Sequence, residues 1–250
     1  MEVIIKQGER IDDLQVNGLR IIQDTNGFCF GMDAVLLANF TKVNSKSKVV
    51  DLGTGTGIIP ILIAGKSSAK EVTGVEIQDE VAEMAQRSVR LNGLEDRVRI
   101  VNEDMKEIFK HLQVNSYNVV TSNPPYMHPD GIKNPNDKKA ISRHEIACGL
   151  EDVIFTASRL LMSGGKFFMV HRPTRLADIM CKARKHKLEP KVIKFIHPSA
   201  GKSPNMVLIQ CTKGGKPELK IMEPLYVYNE DGNYTDAIKE IYSSEKIGAI

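Results

Sequence analysis

The chain has 250 residues, 42% of them hydrophobic and 26% charged, with a net charge of +3. That is enough apolar material for a sizeable core, and one α/β domain over residues 1–250 is the simplest count. No run is long enough to span a membrane and the amino terminus lacks a signal peptide's apolar core, so a cytoplasmic protein is expected. Cys29, Cys148, Cys181 and Cys211 stand far apart with no Cys-x-x-Cys pair. They indicate neither a zinc site nor a disulfide framework, and buried thiols are expected.

In chain order, residues 14–16, Asn17-Gly18 and residues 19–22 read as a hairpin, because Asn-Gly supplies the positive φ that a two-residue turn demands. Asp33 can cap a helix running from Ala34 toward Phe40. A short strand over residues 47–50 leads into Asp51-Leu52-Gly53-Thr54-Gly55-Thr56-Gly57. The apolar run 58–64 that follows suits a buried helix, with Pro60 tolerated in its first turn. Residues 71–75 form the next strand and Glu76 ends it. Residues 80–91 carry apolar side chains at helical spacing, and Asn92-Gly93 stops them. A strand over 98–101 precedes Asp104. The strand over 117–121 comes one residue before Asn123-Pro124-Pro125-Tyr126. An amphipathic helix over 150–162 is closed by Gly164-Gly165 before a strand over 166–170. A helix over 175–187 leads to strands over 192–196 and 206–211. No internal repeat or low-complexity segment interrupts this order.

The glycine run is a strand, tight turn and helix of the kind that binds nucleotides. It fails the dinucleotide fingerprint G-x-G-x-x-G, since the third glycine position falls on Ile58, and no Gly-Lys-Ser/Thr makes it a phosphate loop. Asp51 puts a carboxylate where a phosphate site wants only N–H donors and cations. A carboxylate suits an ammonium or sulfonium ligand, and S-adenosylmethionine carries both and no phosphate. Glu76, about twenty-five residues on, stands at the acidic position expected to hold ribose hydroxyls. Asp104 can accept from the cofactor's adenine amine.

Asn123-Pro124-Pro125-Tyr126 suits methylation of an amine nitrogen conjugated to a flat π-system. Such a nitrogen is a poor nucleophile because its lone pair is delocalised. The Asn123 side-chain oxygen and the Pro124 carbonyl can each accept one N–H and favour a pyramidal nitrogen with its lone pair free to attack. Proline fixes φ and has no N–H to compete, and Tyr126 offers a stacking face.

With these residues in place the chain resembles the Rossmann-like S-adenosylmethionine-dependent methyltransferases that carry Asn-Pro-Pro-Tyr, and within them the bacterial valine-tRNA adenine-N6 methyltransferases. The likeness covers nearly the whole chain. It includes Phe28-Cys29-Phe30-Gly31-Met32-Asp33 and the residues up to Ala38, the glycine turn, Asn123-Pro124-Pro125-Tyr126, Arg143-His144-Glu145, and Met206-Val207-Leu208-Ile209. It implies a seven-stranded, mostly parallel sheet with the last strand antiparallel and helices on both faces. It divides the chain into an amino-terminal extension, 1–46, and a catalytic core, 47–250. It implies Asn123, Pro124 and Tyr126 as catalytic residues, with Asp51, Gly53, Gly55, Glu76 and Asp104 holding S-adenosylmethionine. Phe30 and Gly31 are added as further cofactor candidates.

Charge along the chain points the pocket at RNA. Between Gly165 and Lys220 there are thirteen Lys or Arg against three acids, so the rest of the chain is net negative. That asymmetry is a nucleic-acid footprint, densest at Lys182, Arg184 and Lys185. A second cluster, Lys133, Lys138, Lys139, Arg143 and His144, follows the Asn-Pro-Pro-Tyr turn. The expected substrate is therefore an adenine N6 in RNA, with tRNA as carrier, and no metal or membrane partner is expected. Glutamine-N5 protein methyltransferases share Asn-Pro-Pro-Tyr but usually carry a sizeable helical domain before the glycine turn, where this chain has only fifty residues. RNA guanine-N2 methyltransferases more often have Phe at the place of Tyr126. Both remain alternatives, as does a non-catalytic RNA-binding protein on the same scaffold. His144 and His171 are expected at the surface or facing RNA.

Overall fold

The structure of the protein is a computed structural model that describes residues 3–25, 27, 31–125 and 149–243. Its centre is a parallel sheet in which β3 (Lys48–Leu52) lies between β4 (Glu71–Glu76) and β6 (Tyr117–Ser122). Beyond β4 comes β5 (Val98–Asn102), and beyond β6 comes β7 (Leu161–His171), both parallel to their neighbours. The strand β9 (Met206–Lys213) runs antiparallel between β7 and β8 (Leu188–His197). These seven strands, in the order β8-β9-β7-β6-β3-β4-β5, are the expected sheet with its last strand reversed. The edge goes further than expected. Two short strands, β10 (Lys220–Ile221) and β11 (Leu225–Tyr226), both run parallel to β8 and make the sheet nine-stranded.

Central strands buried on both faces read as near-continuous apolar runs, and two cores result. On one face Val49, Val119 and Phe168 pack with α1 (Met32–Phe40), α2 (Ile58–Lys66) and Val89 of α3 (Asp79–Leu91). The carboxyl-terminal helix α6 (Asp236–Ser243) adds Ile238 and Ile241 to this core. On the other face Val50, Leu52, Val120 and Phe167 pack with α4 (Leu150–Leu160) and with Ile179 and Ala183 of α5 (Leu176–Lys185). The chain leaves β3 for one face and β6 for the other. The neighbours β3 and β6 therefore flank a topological switch point, where open α/β sheets hold ligands outside the carboxyl ends of the strands.

Lys66, buried at the end of α2, shows how α6 is held. Its Nζ donates to Asn39 Oδ1 at 2.8 Å and to the Ile241 carbonyl at 2.9 Å, and burial lowers its pKa to about 8.

Several boundaries differ from the sequence reading. The Asn-Gly turn is present, with φ of 49° at Asn17 and 66° at Gly18 and the Leu19 N–H donating to Val16 O at 2.8 Å. Its strands are β1 (Glu9–Asp13) and β2 (Arg20–Asp24), because Gln15 at φ 56° turns the chain away from pairing. The hairpin rests on α3. Ile22 N–H donates to Ser88 Oγ at 3.0 Å, and the Arg87 guanidinium grips Glu9 in a bidentate pair while its Nε donates to Glu83 at 2.8 Å. Asp33 sits inside α1 and Gly31 is the cap residue, with no side-chain capping bond. α4 ends at Leu160, so Met162 and the Gly164-Gly165 pair belong to an irregular start of β7, and α5 ends at Lys185. Cys211 is buried with its thiol pushed up to about 12, whereas Cys181 is exposed rather than buried; Cys29 and Cys148 lie outside the described residues. Among the described residues no helix is long and apolar enough to cross a membrane.

Candidate active site

The glycine turn is built over the end of β4. Gly53 and Thr54 N–H groups both donate to Val75 O, at 3.0 and 2.9 Å. Gly53 and Gly55 take φ of 72° and 57°, a region open to glycine. Nothing lies within 4 Å of where a Cβ on Gly55 would stand, and only Met105 Cε, at 3.9 Å, approaches the same place on Gly53. The turn thus presents bare backbone to an open space.

Asp51 does not open the turn as the sequence implied. It is the fourth residue of β3 and lies beneath the turn with 0% exposure. Thr121 Oγ1 donates to its Oδ1 at 2.6 Å, while Oδ2 has no partner among the described residues. Burial pushes its pKa up to about 7 against the hydroxyls of Thr121 and Thr54, and the charge of Glu76 adds to the rise. An unpartnered, buried carboxylate oxygen is what a cationic ligand would complete, so the acid fits an ammonium-bearing cofactor and not a phosphate.

Glu76 is buried at the end of β4. Its Oε2 accepts the Gly55 N–H and its Oε1 the Gln78 N–H, both at 3.0 Å, which joins the glycine turn to the start of α3. Each oxygen keeps a second lone pair, so the carboxylate can brace the turn and accept a ligand hydroxyl together. Asp104, past β5, accepts the Lys106 N–H at 2.9 Å and has Lys106 Nζ 3.5 Å away. Asn102 donates to the carbonyls of Glu76 and Ile77 and ties these two strand ends together. Ile77, 38% exposed between Glu76 and α3, and Met105, whose Cε approaches Gly53, put apolar side chains beside the glycine turn that the sequence reading missed. The signal was there, an isoleucine where a strand has ended and a charged helix begins.

Asn123 and Pro124 follow β6 and are half-buried; Pro125 is exposed. Ser122 Oγ donates to Leu52 O at 2.8 Å, so the Asn-Pro-Pro turn and the glycine turn leave adjacent strands that are bonded side by side. His171 ends β7, two residues past Met169, which pairs with Ser122. It is buried rather than at the surface. Its Nδ1 accepts the Arg172 N–H at 2.8 Å and burial lowers its pKa to about 4, so the ring is neutral. Gly31 starts α1 on the α2 side of the sheet. Phe30, Tyr126, Lys133, Lys138, Lys139, Arg143 and His144 lie outside the described residues.

The basic residues of α5 are paired with acids of the same surface. Lys182 and Lys185 both donate to Glu151, whose carboxyl they hold down at about 2 together with His186. Arg184 pairs with Glu189 at the amino-terminal end of β8, on the rim opposite Asn123. Glu151 comes from α4, 31 and 34 residues before Lys182 and Lys185, too far along the chain for a local charge count to pair them. The carboxyl rim carries other cations instead, Arg172, Arg175 and Lys202.

The family profile described as Methyltransferase small domain matches residues 30–184. Curated relatives include the tRNA1(Val) (adenine(37)-N6)-methyltransferase of Pedobacter heparinus, 28% identical over 207 residues that cover 83% of this chain and 86% of the relative. Another of the same name, from Aeromonas hydrophila, is 27% identical over 217 residues, 85% and 88% of the two chains. Among solved structures, a predicted O-methyltransferase from Agrobacterium tumefaciens superposes with a TM-score of 0.71 at 26% identity, over 86% of this chain and 97% of the other. Pyrococcus horikoshii TYW2 in complex with MeSAdo shares the fold, with a TM-score of 0.59 at 16% identity over 84% of this chain and 73% of the other.

Proposed function

The chain belongs to the methyltransferase small domain family and uses S-adenosylmethionine, and from that premise we propose that it methylates the exocyclic N6 of an adenine in tRNA. The observation that carries this reading is the side-by-side placement of the Asn123-Pro124 turn and the glycine turn at the switch point, bonded through Thr121 to Asp51 and Ser122 to Leu52. The tRNA adenine acceptor is supported by the names of relatives that match most of the chain.

When bound, S-adenosylmethionine supplies an electrophilic methyl on a sulfonium. Asp51 from below, with the backbone at Gly53 and Gly55, would fix its ammonium end. Glu76 would take the ribose hydroxyls and Asp104 the adenine amine, with Phe30 and Gly31 closing the site from α1. Asn123 Oδ1 and the Pro124 carbonyl would accept the two N–H bonds of the target amine and hold its lone pair out of conjugation. No strong base is needed, since the nitrogen's proton becomes acidic as the new bond forms. The base enters unpaired or flipped out and stacks on Tyr126. Residues 47–250 would form the catalytic core and 1–46 an extension whose hairpin braces α3 and whose helix α1 packs on the sheet. Lys138, Lys139, Arg143, Lys182, Arg184 and Lys185 are the candidates for RNA contact, and the last three also tie α5 to α4 and β8.

The test is to incubate the protein with labelled cofactor and total tRNA from a strain lacking its gene, then digest to nucleosides. N6-methyladenosine is expected. Label in N2-methylguanosine, or in glutamine of a protein fraction, would overturn the adenine reading.

A further inference from the structure

The carboxyl rim continues past the active site into a stretch of cations that ends on exposed aromatic rings. Along this rim the strands run β6, β7, β9, β8. At about 4.8 Å per strand the end of β8 stands roughly 14 Å from the Asn123 turn. Arg172, exposed at the end of β7, donates from Nη1 to Asn205 O at 3.0 Å and so lies across toward the loop joining β8 to β9. Arg175 is next, paired with Asp178. In that loop Lys202 is exposed, and its carbonyl accepts from His197 Nδ1 at 2.7 Å. The bond fixes Nδ1 as the protonated nitrogen of the His197 ring.

The His197 ring then meets Tyr226, its register partner in β11, with centroids 5.3 Å apart. Tyr226 is 38% exposed. Behind it Tyr228, Tyr234 and Tyr242 stack in a row, with centroids 5.4 and 6.2 Å apart and planes within 20° and 12° of parallel. A turn at residues 229–233 holds this row in place, and Glu230 and Asp231 stand at its tip. Cations followed by a stacking ring and then by acids make a surface with a direction. Phosphates are attracted along the cations, a base can stack at the ring, and the acids repel a chain that goes further.

We propose that the rim from Arg172 through Lys202 to the His197–Tyr226 ring pair is a track for single-stranded RNA flanking the methylated adenine, with one unpaired base stacked on Tyr226. This rests on the RNA reading of the active site. Tyr226 lies on β11, one strand beyond β8, so it stands four strand spacings or roughly 19 Å from the Asn123 turn. That span matches about five or six stacked nucleotides at about 3.4 Å each, or fewer when splayed, so the track would read a loop or an end and not a continuous duplex.

The chain has no tryptophan, so Tyr226→Trp installs a single reporter on the rim. Its emission should be quenched as tRNA is titrated in and restored by salt. In kinetics, Tyr226→Ala and the double variant Arg172→Ala with Lys202→Ala should each raise KM for tRNA about tenfold. Their kcat at saturating tRNA, cofactor affinity and melting temperature should stay those of the parent, and Tyr226→Phe should restore KM. Unquenched emission at tRNA concentrations that saturate methyl transfer, or a parental KM in the double variant, would overturn the track and leave the RNA reading standing. If the parent protein methylates no RNA, both readings fall.

Discussion

Thr121 Oγ1 donates to Asp51 Oδ1 at 2.6 Å, and this bond joins the strand that leads to the Asn123-Pro124 turn to the strand that leads to the glycine turn. Two turns about seventy residues apart in sequence share one buried hydrogen bond, so a shift in either strand is felt at both.

Cofactor binding should depend on pH through the buried Asp51. Its pKa in the free protein is raised from 3.8 to about 7, so the folded chain holds a proton there that the unfolded chain has lost. Stability from this group is therefore greatest below about pH 4 and declines as pH rises toward 7. A cationic ligand reverses the balance by favouring the carboxylate, so cofactor affinity should rise from pH 5 to 7 and level off above. Calorimetry in buffers of different ionisation enthalpy should show a proton released on binding near pH 6. Asp51→Asn should leave the melting temperature at pH 7.5 unchanged or higher, weaken cofactor binding about tenfold or more, and abolish the proton release.

Asn123→Ala removes one of two acceptors aimed at the amine. Loss of a single preorganised polar group of this kind costs about 100-fold or more in kcat. Cofactor affinity should change little, because Asn123 follows β6 whereas the residues proposed for the cofactor lie at or just past the ends of β3, β4 and β5. Single-turnover methylation beside calorimetric cofactor binding separates the two effects.

Gly74 sits under the glycine turn. A Cβ there would stand 2.9 Å from Ile100 Cδ1 and 2.9 Å from the Thr54 side chain. The Ile100 methyl can yield, but Thr54 is buried and belongs to the turn. Gly74→Ala should cost about 1–3 kcal/mol and lower the melting temperature by several degrees. Cofactor affinity should fall with it, and saturating cofactor should recover part of the lost stability.

Arg87 is the anchor of the amino-terminal hairpin, with both its own side chain and that of Glu9 only 7% exposed. Arg87→Ala leaves the Glu9 carboxylate with the Lys6 N–H but without its guanidinium, which should cost about 1–3 kcal/mol. The Arg87 guanidinium also holds Glu9 below its ordinary 4.5. The pair's contribution is thus complete above about pH 4.5 and is lost as pH falls through the depressed value. Urea unfolding of the parent and the variant at pH 7 and below pH 4 should show their difference shrinking in acid.

The glycine turn, the helix after it and the strands themselves were legible because each rests on local pattern: glycines where φ is positive, apolar runs of strand length, an acid near a strand end; their arrangement in one sheet came from the family resemblance. What was not legible depends on residues far apart in the chain. Nothing near Lys182 or Lys185 announces Glu151 as their partner, so a paired surface reads as a free basic one. The same holds for Arg87 and Glu9, and for the burial of Asp51 beneath its own turn, which needs β6 to supply Thr121. The first hairpin strand was displaced because Asn-Gly fixed the turn, while the positive φ at Gln15 gave no signal in an ordinary polar residue.

Lys66 sets a limit on how far the chain can be shortened. Its ammonium is shared between Asn39 and the carbonyl of Ile241, in a place where charge is already disfavoured. Ending the chain before Asp236 would delete that carbonyl together with the side chains of Ile238 and Ile241, leaving the ammonium one acceptor and less cover. The far end of the helix that starts at the glycine turn would come undone. A tail that touches nothing reactive is in this sense the last clasp on the cofactor's own helix, and trimming it would loosen the enzyme from the outside in.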